Sequence, residues 1–257
     1  MKLRDRHVFI TGAGTGNGAA MARLMAAEGA RVAVADIDEA SANEVAEAIR
    51  AAGGQAIALV QDAAEEAAWD DAIECAIGAF GALRGLVNNA GIARIGDIEH
   101  ETLAGWRTVQ RINLDGVFLG TRAAVRAMRA GEGGSIVNVS SIYGLVGGPR
   151  AVAYNASKGG VCLLSKSAAL YCQEAGYRIR VNSLHPGYVR TPMIEGLKAT
   201  LGEQNYKQMQ ATIRASTPMG RLAEADEIAK AALFLISDDS SYMTGSELVV
   251  DGGFTAR

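Results

Sequence analysis

Proline and cysteine are scarce in this chain of 257 residues, with 4 and 3 copies. Cys75, Cys162 and Cys172 are too few for a disulfide framework, and none stands at CxxC or Cys/His metal-ligand spacing. With His7, His100 and His185 also far apart in the chain, no metal site is expected. No apolar run reaches the roughly 18 residues that a membrane-spanning helix needs. A surplus of positive charge is missing too. At a formal net charge of −3 there is no basic field to hold nucleic acid by counterion release. The opening MKLRDRHVFITGAG puts charges where a secretory signal needs its apolar stretch, so a cytoplasmic protein is expected.

What is abundant is apolar residue, 49% against 21% charged, enough for one large core. The 31 glycines are also many, and several follow directly on apolar runs: Gly12, Gly14, Gly16, Gly18, Gly91, Gly144 and Gly187. Glycine there predicts loops that turn sharply or approach a ligand closely.

The apolar runs are short and β-branched: HVFIT (7–11), RVAVA (31–35), AIALV (56–60), GLVNN (85–89), SIVNVS (135–140), RVNSLH (180–185) and ELVV (247–250). Continuous rather than alternating hydrophobicity predicts parallel strands covered on both faces. Segments with helical period lie between them, near 17–28, 38–52, 65–80, 102–130, 154–175, 203–214 and 224–236. Strand alternating with helix predicts a single doubly wound α/β sandwich over 1–257, Rossmann-like, with helices on both faces. Such sheets bind ligands at the carboxyl ends of their strands.

The first strand runs into Thr11-Gly12-Ala13-Gly14-Thr15-Gly16-Asn17-Gly18 and then a helix. A glycine-rich turn feeding a helix N-terminus suits a pyrophosphate, so Gly12, Thr15, Gly16, Asn17 and Gly18 are candidate cofactor contacts. The spacing is GxxxGxG, which differs from the GxGxxG fingerprint, and no lysine follows as in a GxxxxGK phosphate loop. Asp36 closes the second strand, where an acid accepts hydrogen bonds from the adenosine ribose and repels a 2′-phosphate. Ile37 follows it, and Thr15 fills a slot where a phosphate-pairing arginine could sit. NAD(H) is therefore favoured over NADP(H), although Asp36 could instead cap the next helix. Asp62 and Ala63 after strand three, and Asn88, Asn89, Ala90 and Gly91 after strand four, suit an adenine edge and a close ribose.

Strand five delivers Asn138-Val139-Ser140-Ser141, and thirteen residues beyond Ser141 stands Tyr154-Asn155-Ala156-Ser157-Lys158. Tyr154 and Lys158 are one helical turn apart and share a face. TGAGTGNG, NNAG, the Asn113 of INLDG, NVSS, YNASK and HPGYVRTP stand in the order and approximate spacing of the short-chain dehydrogenase/reductase family, which the chain resembles over nearly its full length. The resemblance implies a seven-stranded parallel sheet of order 3-2-1-4-5-6-7 and a homotetramer. It implies Ser141, Tyr154 and Lys158 as catalytic residues with Asn113 as a fourth, and Tyr154 and Lys158 as cofactor contacts too. Pro186, Gly187, Val189 and Thr191 would lie against the nicotinamide. Ser140 competes for the serine role, and Asn113 could instead cap or kink a helix. Where relatives carry an apolar residue, Asn17 puts an amide that needs a partner if buried.

The chemistry fits these residue types. Oxidising a secondary alcohol removes a hydroxyl proton while a hydride leaves, and a phenol of pKa about 10 must be made more acidic to accept that proton near neutrality. A neighbouring ammonium does so, and a serine can hydrogen-bond the oxygen on which charge develops. The segment at about 190–215, with Met193, Ile194, Leu197, Leu201, Tyr206, Met209 and Ile213, is either a substrate lid or packing on the body. As a lid, with Leu145, Val146 and Tyr188, it favours a bulky apolar alcohol or ketone. Arg94 and Arg190 could meet an anionic group or simply be solvated. Two other readings are a 3-oxoacyl-carrier-protein reductase, which shares the tetrad, and a non-catalytic NAD sensor, which would be expected to have lost it.

Overall fold

Strand β1 (His7–Thr11) is buried along its whole length, and its side chains part to either side of the sheet. Val8 and Ile10 join one apolar cluster, with Met21, Met25, Ile228 and Leu235, whereas Phe9 joins another, with Trp69, Leu86 and Met128. The two-residue period of a strand thus divides a continuous apolar run between two cores. The computed structural model describes residues 1–256, except the side chains of Leu197 and Thr200. Leu197, one of the expected lid positions, therefore lies outside the described side chains.

Around β1 lie β2 (Arg31–Asp36), β3 (Gln55–Val60), β4 (Leu83–Asn88), β5 (Gly134–Val139), β6 (Ile179–Pro186) and β7 (Glu247–Val250). They form one seven-stranded sheet of order 3-2-1-4-5-6-7, parallel throughout. The crossovers contain α1 (Gly16–Ala27), α2 (Glu39–Ala51), α3 (Ala67–Phe80), α4 (Leu103–Gln110), α5 (Gly116–Met128), α6 (Val152–Glu174), α7 (Pro192–Leu201), α8 (Glu203–Ser216) and α9 (Ala225–Ile236). Among the described residues no helix is long and apolar enough to cross a membrane.

Two sequence expectations need correcting. The helix expected over 102–130 is two helices, α4 and α5, joined by a π-helical turn at Arg111–Asp115 that carries the buried Asn113. A single π turn sits inside a continuous helical path and RINLD carries no proline or glycine to mark it, so the segment reads as one helix. Helix α7 was not expected, although its marks are in the sequence: Pro192 in the first turn and Gly202 just past the end. On α5 and α6, Val117, Thr121, Met128 and Val161 are buried within the subunit. The exposed apolar side chains of α5 and α6 are Phe118, Leu163, Leu170 and Tyr171.

Behind the strand ends, four buried polar side chains tie sheet to helices. Asn88 Nδ2 donates to Asn138 Oδ1 at 2.8 Å, the Thr121 hydroxyl donates to the same oxygen at 3.2 Å, and Asn138 Nδ2 donates to Ser165 Oγ at 3.0 Å. Asn138→Ala strands these partners in the core, where each unmet group costs about 1–3 kcal/mol. It is expected to lower the urea midpoint of unfolding by a loss in that range; an unchanged midpoint would show the network to be energetically idle.

Candidate active site

The turn from β1 into α1 is shaped by contact as much as by glycine flexibility. A Cβ on Gly18 would lie 2.0 Å from the Gly12 carbonyl oxygen, so only glycine lets the helix start this close to the strand end. Asn89 fixes the turn from the other side, donating Nδ2 to the carbonyls of Thr11 at 3.0 Å and Gly12 at 2.9 Å. Thr11 Oγ1 in turn accepts from the N–H groups of Asn89 and Ala90. The Asn89 amide is thus a strut of the loop, and the Asn88 amide belongs to the core network. Thr15 precedes α1 without capping it by its side chain, leaving the first-turn N–H groups able to meet an anion.

A cavity of about 320 Å³ opens along this turn. Gly12, Thr15, Gly16 and Asn17 line it on one side, Asp36, Ile37, Asp62 and Ala63 at one end, and Asn89, Ala90, Gly91 and Thr191 elsewhere. Gln61, Ile92, Arg111, Ile112, Pro192 and Met193 complete the lining. Of these six, only Met193 was singled out from the sequence, and then as a substrate wall. The Asp36 carboxylate is held in place by the backbone, accepting from Gly14 N at 2.9 Å and Asp38 N at 3.1 Å. The N-cap of α2 is Asp38, so Asp36 is not the cap. Arg111, from the π turn, pairs with Asp62 at 3.3 Å and with Glu65. The Asn17 Oδ1 is buried with no hydrogen-bond partner among the described residues. This cradle, an uncapped helix start with an oriented carboxylate some 20 residues on, fits a dinucleotide.

Further along the sheet edge, Ser141, Tyr154 and Lys158 meet. Ser141 begins a short 3₁₀ turn, Ile142–Gly144, where its hydroxyl accepts from Tyr143 N at 3.1 Å and lies on the side of the Tyr154 phenol. Ser140 points elsewhere, donating to the Lys158 carbonyl at 2.8 Å, so of the two serines only Ser141 faces the phenol. Lys158 Nζ donates to the Val139 carbonyl at 2.8 Å and stands 5.7 Å from the centre of the Tyr154 ring. Burial drives Lys158 down from 10.5 to about 8. Burial also raises the Tyr154 phenol, with the Ser141 hydroxyl pulling the other way and Tyr143 adding to the rise. In the protein by itself the phenol is thus weaker, not stronger, as an acid than free tyrosine. Asn113 Oδ1 accepts from Ile92 N at 2.8 Å, while its Nδ2 donates to the Ile92 carbonyl and to Ser157 Oγ. A Cβ on Gly91 would lie 3.1 Å from Asn113 Oδ1 and 3.5 Å from Lys158 Nζ, which brings the two residues to one point of the cavity wall.

Pro186 ends β6, Gly187 N donates to the Val250 carbonyl at 2.9 Å, and Val189 is buried against Ala223. Thr191 then precedes α7, facing Gly16 across the cavity. Tyr143 and Tyr188 share a hydrogen bond of 2.7 Å, with the Tyr154 ring edge-on to Tyr143 and Phe254 edge-on to Tyr188. Leu145, Val146 and Met193 are exposed. Two residues here escaped sequence reasoning. Asn155, within YNASK, donates to the carbonyls of Tyr143 and Val146, pinning the loop after Ser141. Phe254 sits near the end of the chain, where no local pattern links it to β6. Tyr206 and Ile213 are buried, on a helix that packs against α7. Arg94 and Arg190 pair with Glu101 and Glu224.

A family model described as "Enoyl-(Acyl carrier protein) reductase" matches residues 12–255. The chain is 42% identical to the "NADP-dependent (R)-specific alcohol dehydrogenase" of Lentilactobacillus kefiri, covering 100% of this chain and 99% of that protein. It is 41% identical to the "Cyclopentanol dehydrogenase" of Comamonas sp., at the same coverage. Its fold superposes with a TM-score of 0.92 on a short-chain type dehydrogenase/reductase from Mycobacterium marinum, 34% identical over 100% of this chain and 98% of the other.

The Lys158 shift has a sign that can be measured. Between about pH 8 and 10.5 the unfolded chain holds this proton more tightly than the folded one. Stability from this group therefore climbs as pH rises through that window, and the full penalty applies below it. Lys158→Met removes the buried ammonium at the loss of one hydrogen bond to Val139. It is expected to stabilise the cofactor-free protein at pH 7 by about 1–3 kcal/mol in urea unfolding while turnover collapses. A destabilised variant would show that the ammonium is not a burden on the fold.

Proposed function

The chain belongs to the short-chain dehydrogenase/reductase family, and from that premise we propose that it is an NAD(H)-dependent oxidoreductase interconverting a secondary alcohol and its ketone. The single observation that carries the reading is the meeting of Ser141, Tyr154 and Lys158 beside a dinucleotide-shaped cavity. Gly12, Gly16, Gly18 and the first turn of α1 would hold the pyrophosphate, Asp36 the adenosine ribose, Asp62 and Ala63 the adenine. Tyr154, Lys158, Pro186, Gly187, Val189 and Thr191 would hold the nicotinamide end. Once bound, the nicotinamide supplies the hydride chemistry.

The residues of the chain handle the proton and the oxygen. In the oxidative direction Tyr154 Oη takes the hydroxyl proton of the alcohol, and in the reductive direction it returns one to the carbonyl oxygen. Ser141 Oγ donates to that oxygen as charge develops on it. Because burial raises the phenol, the proton transfer depends on positive charge brought close to it, and the Lys158 ammonium is the chain's own source. Asn113 positions Lys158 and the Gly91 turn. The bonded pair Tyr143 and Tyr188, with Phe254, Leu145, Val146 and Met193, favours a compact apolar or cyclic substrate, and α7 with α8 serves as the lid. The names of the curated relatives support the same class. An acyl-carrier substrate has the family model's description in its favour, but the net charge of −3 offers a poor surface for an acidic carrier. The exposed apolar side chains of α5 and α6 suit burial in a homotetramer.

Two measurements test this. Tyr154→Phe is expected to keep its NADH affinity, read by fluorescence titration, and to lose more than about 100-fold in turnover of cyclohexanone or cyclopentanone. Retained turnover removes the proton-transfer role; silence of the wild type across cyclic ketones, secondary alcohols and 3-oxoacyl thioesters, with tight NADH binding, revives the sensor. For the cofactor, the L. kefiri relative is NADP-dependent by name, so kinship alone does not choose. The oriented Asp36 carboxylate is expected to give NADH at least about tenfold higher kcat/KM than NADPH, and Asp36→Ala to narrow that ratio. Equal use of both by the wild type would overturn the assignment.

A further inference from the structure

Behind the catalytic serine, three side chains converge from three elements: Cys162 on α6, His185 near the end of β6, and Glu247 at the start of β7. A donor atom of each lies within 4.8 Å of the other two. We propose that Cys162, His185 and Glu247 bind a single divalent transition-metal ion of the Zn²⁺ class, and that its binding inhibits the adjoining active site. A thiolate, an imidazole and a carboxylate form a donor set for zinc or cobalt, not for the hard cations magnesium and calcium.

The imidazole is already arranged as a ligand. His185 Nδ1 stands 3.0 Å from the Ser141 carbonyl, which can only accept, so Nδ1 carries the proton. The lone pair therefore sits on Nε2, which now accepts from Ser183 Oγ at 2.8 Å. A ring N–H fixed on a backbone carbonyl is the usual outer support of a metal-bound histidine. Ser183 and Glu247 are direct partners across the β6–β7 pairing, so the strand register places the carboxylate beside Nε2. Cys162 Sγ contacts Glu247 Oε1 at 3.1 Å. Glu247 keeps 27% of its side chain exposed, which gives an ion a way in.

The exchange balances. The Cys162 thiol gives its proton to solvent, and thiolate and carboxylate together neutralise the ion. Lys166, now paired with Glu247 and 44% exposed, turns to water. Ser183 or a water supplies the fourth position. Bonds of about 2.0–2.3 Å give a tetrahedron with edges of about 3.5 Å, so the donors must draw together. His185 is anchored on Ser141, so that contraction pulls at the residue whose hydroxyl meets Tyr154.

The test uses Co²⁺ as the probe, with Cys75→Ser as background to remove the exposed thiol. One equivalent of Co²⁺ is expected to give a sulfur-to-cobalt charge-transfer band in the near ultraviolet, released by Zn²⁺. Cys162→Ser should abolish the band, and the surface variant Glu247→Gln should weaken binding by more than about tenfold. Lys166→Ala, which frees the carboxylate, should tighten it. No band at millimolar Co²⁺, or a band that survives Cys162→Ser, overturns the site. The inhibition rests on the activity proposed above, whereas the band does not, so the two can fail separately. Zn²⁺ should slow ketone reduction by the background protein and leave its Cys162→Ser derivative unaffected; equal inhibition of both overturns the coupling.

Discussion

A buried ammonium governs the working end of this molecule. Lys158 lies inside the protein and, among the described residues, has a single backbone carbonyl, that of Val139, as its hydrogen-bond acceptor and no carboxylate to neutralise it. Full desolvation of such a group is costly, and the lowered pKa records it. The fold retains the charge by building around it: Ser140 takes the Lys158 carbonyl, Asn113 and Gly91 form the wall beside Nζ, and Tyr154 lies one helical turn back. In the proposed reaction that charge has a use, because a phenol raised by its own burial needs positive charge nearby to exchange a proton near neutrality.

Asparagine amides give the loops around that charge their fixed shape. Asn89 clamps the glycine turn after β1, Asn113 ties the Ile92 segment to α6 through Ser157, and Asn155 pins the loop that follows Ser141. Each bridges backbone groups that have no strand or helix to pair with. An amide carries a donor and an acceptor on one short arm, so it closes such a loop where a hydroxyl or a carboxylate satisfies only part of it. Catalytic and cofactor-facing groups at the carboxyl ends of the strands can then sit on loops without losing position.

How much of this was legible in the sequence follows from where each signal resides. Strands and their burial show because parallel strands covered on both faces read as continuous apolar runs, and the glycine turn shows because it is local. The pairing of Tyr154 with Lys158 shows through helical spacing. The thirteen-residue spacing to Tyr154 favours Ser141 over Ser140, and the bond from Ser140 to the Lys158 carbonyl is a contact that spacing does not show. The break at Asn113 is hidden because the π turn sits inside a continuous helical path with no proline or glycine to mark it. Tyr206 and Ile213 have the spacing of a lid, yet their burial depends on a surface that periodicity cannot describe. Cys162, His185 and Glu247 are distant in sequence, and only the register of β6 on β7 brings the last two together.

Asn17 shows the same principle from the opposite side. A residue between two glycines at a helix start could be apolar at no loss to the turn, because the backbone N–H groups do the anion binding. Instead the chain carries an amide whose oxygen is buried without a partner among the described residues, and across the cavity both polar atoms of Gln61 are in the same condition. Unmet polar atoms cost about 1–3 kcal/mol each. Lys158 adds its own desolvation at the other end of the cleft. A sequence selected for stability alone would remove all three, as apolar substitutes of similar size exist for each. Their presence along one cleft means that the fold forgoes stability where it meets its ligand, while the core on either side of the sheet, packed from Phe9, Met21, Ile136 and their neighbours, holds the scaffold together.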